Sequence, residues 1–112
     1  MDLDRARDYL GDVVAGRRAV AFRRYNNQVG HRSDPGMMAG RYPQKAAQEF
    51  VNVLNNLESN AEYKGMDLER LRIINATVHK GGLIKRFIPR ARGTATPKND
   101  TRTHVELVAQ EV

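Results

Sequence analysis

The chain has 112 residues, no cysteine and a formal net charge of +6. This length allows one domain with a modest hydrophobic core, and the lack of cysteine excludes disulfides and thiolate metal sites. No apolar run approaches the roughly 18 residues that cross a bilayer, and the acidic start lacks the basic and apolar regions of a signal peptide. We therefore expect a cytoplasmic protein that makes no membrane contact.

The excess charge is concentrated in two segments. Residues 17–45, the first basic block, contain seven basic residues and one acid, and residues 79–104, the second basic block, contain the same numbers. The remainder of the chain has five basic and eleven acidic residues. A solvated surface mixes its charges, so this clustering favours a polyanionic partner over the alternative of a protein that is merely basic and soluble. The candidate contacts to nucleic acid are Arg17, Arg18, Arg23, Arg24, Arg32, Arg41, Lys45, Lys80, Lys85, Arg86, Arg90, Arg92, Lys98 and Arg102.

The first part of the chain predicts two helices. Residues 2–15 repeat apolar side chains at spacings of three and four, with acids in the first turn. Residues 43–64 predict a longer helix, with Pro43 at its first position and Gly65 in the left-handed conformation that commonly ends a helix. Residues 17–41 between them show no periodicity, and a loop of this length in a compact domain is usually functional or bound to a partner.

The C-terminal part predicts two strands. Residues 71–80 are rich in β-branched side chains, with Ile74, Ala76 and Val78 on one face. Residues 102–111 alternate apolar and polar side chains. We expect the strands to pair antiparallel through the basic segment between them. The predicted fold class is α+β, with a small antiparallel sheet packed on helices and a long protruding β-hairpin.

The hairpin arm, at about residues 80–102, has almost no side chains that could build a core of its own. Pro89 and Gly93 favour a bend. A hairpin alone in water is marginally stable, whereas basic arms supply the phosphate contacts that dominate nucleic-acid affinity. We expect a single domain whose globular part spans about 1–79 and 103–112, with the arm embedded in a polyanion.

Catalytic and metal chemistry find little support in the sequence. His31, His79 and His104 lack a ligand partner at helical spacing, although the last two could meet across the hairpin. Neither Ser33 nor Ser59 lies in a G-x-S-x-G motif. We expect no enzyme activity, no catalytic residue, no metal site and no cofactor.

The four tyrosines and three phenylalanines are candidates for stacking on bases. Tyr9 and Phe50 are expected in the core. Phe22, Tyr25 and Phe87 lie among arginines, and for these both core packing and base stacking remain open. Arginine outnumbers lysine ten to four in the two blocks, which favours a structured nucleic-acid site because arginine binds phosphate bidentately and stacks on bases.

Ordered motifs through most of the chain resemble the family of large-subunit ribosomal protein L-twenty-two, called seventeen in eukaryotes. They are Phe22-Arg23-Arg24-Tyr25-Asn26, Val29-Gly30-His31, Gly40-Arg41-Tyr42-Pro43, Lys45-Ala46-Ala47, Asn60-Ala61-Glu62-Tyr63-Lys64-Gly65-Met66-Asp67, His79-Lys80, Pro89-Arg90-Ala91-Arg92-Gly93-Thr94-Ala95 and Thr103-His104-Val105-Glu106-Leu107. The first two basic motifs resemble the archaeal and eukaryotic branch, since bacterial members lack the long loop. Family members usually have a strand and a helix ahead of the position matching Asp2. This chain starts after them, so we expect one exposed sheet edge.

The resemblance implies a structural constituent of the large subunit that binds ribosomal RNA (rRNA), supports assembly and lies near the exit of the nascent-peptide tunnel. Its hairpin would run inward through rRNA, with a tip on the tunnel wall formed by Pro89, Arg90, Ala91, Arg92, Gly93, Thr94 and Ala95. The implied partners are large-subunit rRNA, neighbouring ribosomal proteins and the nascent peptide, without a homo-oligomer. The alternative function is a free RNA-binding assembly factor, followed by an RNA-processing enzyme.

Overall fold

The computed structural model describes residues 1–32 and 38–112. Ser33 and Asp34, the single acid of the first basic block, lie outside the described residues. The elements in chain order are α1 (Leu3–Val14), β1 (Val20–Ala21), β2 (Gly40–Arg41), α2 (Gln44–Tyr63), a 3-10 turn (Leu68–Arg70), β3 (Leu71–Ile84), β4 (Phe87–Pro89), a second 3-10 turn (Ala91–Gly93), β5 (Ala95–Pro97) and β6 (Asp100–Glu111). The α+β class is confirmed.

Both predicted helices are present, with ends shifted by one residue. α1 turns its apolar stripe inward, which buries Leu3, Ala6 and Val13. α2 begins one residue after Pro43, which serves as its N-cap, and Gly65 follows the helix with a positive φ of 75°. The sequence located these helices because their apolar periodicity continues over several turns.

The core lies where the two helices meet the start of β3. Its buried cluster consists of Leu3, Ala6, Leu54, Ala61 and Leu71. Half-buried residues pack around it, namely Leu10, Leu57, Met66, Leu68, Ile73, Leu107 and Ala109. At the surface, the Arg7 side chain joins α1 to α2 through an ion pair with Glu58. Two of the five buried residues are alanines, so the helices approach closely but bury little apolar surface.

β3 and β6 form the antiparallel hairpin that the sequence predicts. Ala76 lies opposite Leu107, and Val78 opposite Val105, so these four residues share the predicted face. The sequence predicts Ile74 on the face of Ala76 and Val78 by simple alternation, but a bulge between Ile73 and Asn75 interrupts that alternation. Ile73 packs on the core instead, and Ile74 is 59% exposed.

The outer edge of β3 pairs with the first two residues of the chain. The Ile73 amide donates to the Met1 carbonyl at 2.8 Å, and Asp2 forms an isolated bridge with Arg72. Beyond Ile73, no strand in residues 1–32 or 38–112 pairs with this edge.

The hairpin extends well beyond the packed helices. β3 and β6 are longer than predicted, and β4 and β5 continue the ladder towards the tip. The molecule measures 62 × 35 × 21 Å, with a radius of gyration of 18.2 Å, whereas a compact chain of this length has about 13 Å. The predicted hairpin arm is therefore largely a paired ribbon that projects beyond the packed helices.

Candidate nucleic-acid interface

The loop that carries the first basic block is closed at its base. β1 and β2 form a two-residue antiparallel ladder, and the Phe22 amide donates to the Ala39 carbonyl at 2.9 Å. His31 also bridges to Ala39. This ladder could not be predicted from the sequence, because two-residue strands are too short to show a period.

Two arginines of this loop lie over aromatic rings. The guanidinium carbon of Arg32 is 4.9 Å from the ring centroid of Tyr42, and its Nε donates to the Gly40 carbonyl at 3.0 Å. The guanidinium of Arg41 lies 5.8 Å from the ring centroid of Phe22. A ring face attracts the cation and leaves the N–H groups at its rim available. Both arginines are therefore oriented before a ligand arrives.

The two arginines that follow α1 have different partners. Arg18 lies 5.3 Å from the ring centroid of Tyr9. Arg17 donates through Nε and Nη2 to one carboxylate oxygen of Asp12, at 3.1 and 3.0 Å. The charge of Arg17 is paired with a carboxylate, whereas Arg18 contacts a neutral ring and keeps its full positive charge.

Residues 23–28 form a continuous exposed stretch of the loop. Arg23 and Arg24 are exposed, and neither pairs with an acid of residues 1–32 or 38–112. Tyr25 is 97% exposed and has a positive φ of 44°, which is unusual for a bulky side chain. The side-chain Nδ2 of Asn26 donates to the Phe22 carbonyl at 3.3 Å and closes this turn.

Lys45 lies in the first turn of α2 and is exposed. That turn contains no acid, and the N-cap residue Pro43 makes no side-chain capping bond. A helix N-terminus carries a partial positive charge and disfavours a cation. Lys45 and the helix end therefore both add to the positive potential of the first basic block.

The second basic block runs along the hairpin. Arg86 forms an ion pair with Asp100 across the neck of the ribbon. The other basic residues are exposed and make no ion pair within the described part of the chain: Lys80, Lys85, Arg90, Arg92, Lys98 and Arg102. The structure thus spreads the block along the ribbon as a line of cations.

The tip is folded by its own hydrogen bonds. The Arg90 amide donates to the Thr94 carbonyl at 2.7 Å, and the Thr94 hydroxyl donates to the Ala91 carbonyl at 2.9 Å. Arg92 and Gly93 both have positive φ, at 62° and 70°. These bonds fix the turn, so the tip arginines extend from a defined backbone.

Comparison with known proteins identifies the family. The family model described as "Ribosomal protein L22p/L17e" matches residues 1–110. The chain belongs to this family. Among proteins called "Large ribosomal subunit protein uL22", that of Nitrosopumilus maritimus is 72% identical over 112 residues, which are all of this chain and 74% of the relative. That of Cenarchaeum symbiosum is 67% identical over 111 residues, covering 99% of this chain and 73% of the relative.

A more distant uL22 protein, from Methanocaldococcus jannaschii, is 47% identical over 112 residues, which are 99% of this chain and 72% of the relative. These relatives are archaeal, in agreement with the predicted archaeal type of the loop motifs. The uL22 family is one of ribosomal structural proteins and not a family of enzymes.

Two histidines of this uL22 family member meet across the hairpin, as its predicted pairing allows. His79 and His104 lie directly opposite each other in the ladder, which confirms that they meet. His79 Nε2 is 3.7 Å from a carboxylate oxygen of Glu106. Within residues 1–32 and 38–112, no three His, Cys, Asp or Glu side chains are grouped to hold a metal ion. No described helix is long and apolar enough to cross a membrane.

Some aromatic residues lie under arginine side chains, whereas others are exposed or half-buried. Phe22 lies under a guanidinium, whereas Phe87 is 68% exposed. Phe50 and Tyr9 are half-buried, and Tyr9 together with Tyr42 supports an arginine, a role that sequence reasoning missed. An aromatic residue close to an arginine in the sequence can indicate such a contact. Tyr9 is nine residues from Arg18 and lies in α1, so this contact forms only in the folded chain.

Proposed function

We propose that this chain is a structural constituent of the large ribosomal subunit that binds rRNA through both basic blocks and supports subunit assembly. It would act on ribosomes in the cytoplasm, next to other ribosomal proteins. Family membership supports the ribosomal role. The rRNA contacts rest on the charge and shape of the molecule.

The observation that carries the proposal is the projecting hairpin. A two-stranded ribbon with an exposed line of cations lacks a core, and its like charges repel one another. RNA along both sides of the ribbon would neutralise the cations with its phosphates and cover the apolar surface with its sugars and bases. Embedding in rRNA therefore accounts for both the shape and the charge of this element.

The tip would form part of the wall of the nascent-peptide tunnel. Ala91, Gly93 and Ala95 have small side chains, which permit close approach to RNA and leave tunnel space free. Arg90 and Arg92 are exposed at this turn, where they would meet either phosphate or the passing peptide.

The first basic block would form the second rRNA surface. Arg32 and Arg41 are oriented by rings, while Arg23 and Arg24 extend without acidic partners in the described part of the chain. Bidentate contacts to phosphate suit such oriented guanidinium groups. The acidic remainder of the chain restricts this attraction to the two blocks.

Replacing Arg23, Arg24 and Arg41 together with alanine should weaken binding to a large-subunit rRNA transcript from Nitrosopumilus maritimus. Each phosphate contact that is lost means that fewer counterions are released on binding. The slope of log affinity against log salt should therefore become less negative by about two to three. Filter binding across a salt series measures both quantities.

The matched control replaces Arg5, Lys64 and Arg70, which are three exposed basic residues outside both blocks. It removes the same net charge and should preserve the slope. If both triple variants lose affinity equally, only net charge matters and the first block is not an rRNA surface.

A further inference from the structure

We propose that Tyr25 is a base-stacking residue, whose ring lies against an unpaired nucleobase of the RNA that this protein binds. This inference rests on the proposed rRNA binding and adds a residue-level contact to it. It assigns to one side chain a role that electrostatic attraction alone does not require.

The exposure of Tyr25 is the first argument. With 97% of its surface accessible, the side chain contributes almost nothing to the stability of the isolated chain. An exposed aromatic ring offers a flat apolar face of the kind on which single-stranded bases stack.

The backbone gives a second argument. Tyr25 adopts a positive φ of 44°, where glycine or asparagine would fit with less strain, and Asn26 follows immediately. The side-chain Nδ2 of Asn26 donates to the Phe22 carbonyl at 3.3 Å, and the backbone carbonyl of Asn26 accepts from the Val29 amide at 3.2 Å. These bonds close the turn that contains Tyr25 and so support its backbone in this strained conformation.

The surrounding charge identifies the class of ligand. Arg23 and Arg24 immediately precede Tyr25 in the chain, and residues 17–32 contain no acid. Guanidinium groups next to a stacked base can bind the phosphates on either side of it. A nucleotide in an unpaired segment of RNA satisfies the ring and the two cations together, which an apolar protein surface does not.

The other aromatic residues of the loop have different environments. Phe22 lies under Arg41, and Tyr42 lies under Arg32, so each ring already has a face occupied. Tyr63 is 93% exposed but lies at the end of α2, outside both basic blocks. It is the natural control for a tyrosine that is exposed without neighbouring arginines.

The test compares Tyr25→Leu, Tyr25→Phe and Tyr63→Leu in the full chain, binding to the large-subunit rRNA transcript of Nitrosopumilus maritimus. Tyr25→Leu should lose about 5- to 150-fold in affinity, which corresponds to roughly 1–3 kcal/mol for one stacked base. The salt slope should stay unchanged, because stacking releases no counterions. Tyr25→Phe and Tyr63→Leu should bind as the unmodified chain does.

A spectroscopic readout identifies stacking directly. The chain contains no tryptophan, so Tyr25→Trp introduces a single indole whose emission stacking on a base would quench. Tyr63→Trp should keep its emission when the same RNA is added.

Unchanged affinity of Tyr25→Leu together with unquenched Tyr25→Trp would overturn the stacking role, provided that the unmodified chain binds RNA with a steep salt slope. That result would mean that Tyr25 contacts no base, and it would leave the proposed rRNA binding intact. If the unmodified chain fails to bind the transcript, the stacking role and the proposed rRNA binding both fail.

Discussion

Gly81 shows how one residue determines the shape of the hairpin. Lys80 pairs with Thr103, but Leu83 pairs with Thr101, so two glycines face one residue of β6 in a bulge. A Cβ added at Gly81 would lie 2.9 Å from the Arg102 carbonyl oxygen. Glycine is needed there because the opposite backbone occupies the space of a side chain.

Replacing Gly81 with alanine should therefore loosen the ladder at the bulge by about 1–3 kcal/mol, the usual cost of overpacking. Native-state hydrogen exchange should show faster exchange of the β6 amides next to Arg102. Gly82→Ala is the control, since nothing lies within 4 Å of a Cβ at that position. Equal exchange rates in the two variants would show that the bulge tolerates a side chain.

The arginines of the first block illustrate a second principle at this scale. An exposed arginine loses side-chain entropy when it binds phosphate, and a ring beneath the guanidinium removes part of that loss in advance. Arg32 has both a ring and a carbonyl partner, so two contacts orient its head group. Its charge nevertheless remains uncompensated by any acid of the described residues.

At the scale of elements, the two helices and the paired strands could be predicted from the sequence. Apolar periodicity and β-branched content act over ten or more residues, so they identify α1, α2, β3 and β6. The bulge at Ile74 could not be predicted, because a single inserted residue reverses the alternation without changing composition. The outward position of Ile74 is the visible consequence.

The candidate site was predicted in part. Charge clustering selects the basic residues, but it does not reveal which of them are already engaged. Arg17 and Arg86 form ion pairs with Asp12 and Asp100, and these contacts depend on how the chain folds. Neither pairing was predicted from the local sequence.

The hairpin tip is the element with the most specific proposed role. Replacing Arg90 and Arg92 with alanine should change the properties of the tunnel more than assembly. In the proposed arrangement the tip lies beyond the hairpin cations that would contact rRNA, namely Lys80, Lys85, Arg86, Lys98 and Arg102. In an archaeal host whose resident copy is replaced, we expect altered translational stalling or altered response to tunnel-binding drugs, with a normal yield of large subunits. Failure to form large subunits would show that these arginines act in assembly and that the tip assignment is wrong.

At the scale of the whole molecule, shape and charge point to the same partner. The two helices contain six of the thirteen acids and contribute most of the small core, while the hairpin and the first loop carry the excess of cations. An elongated molecule of 62 Å with cations on its extensions is suited to insertion between RNA segments. Its surface would be largely covered only inside such an assembly.

The most direct test of the central claim is sedimentation of a cell lysate through a moderate-salt gradient, with this protein quantified in every fraction. We predict one copy per large subunit in the mature subunit peak, retained after washing. Recovery only in light or precursor fractions would contradict the structural role and support a free assembly factor instead.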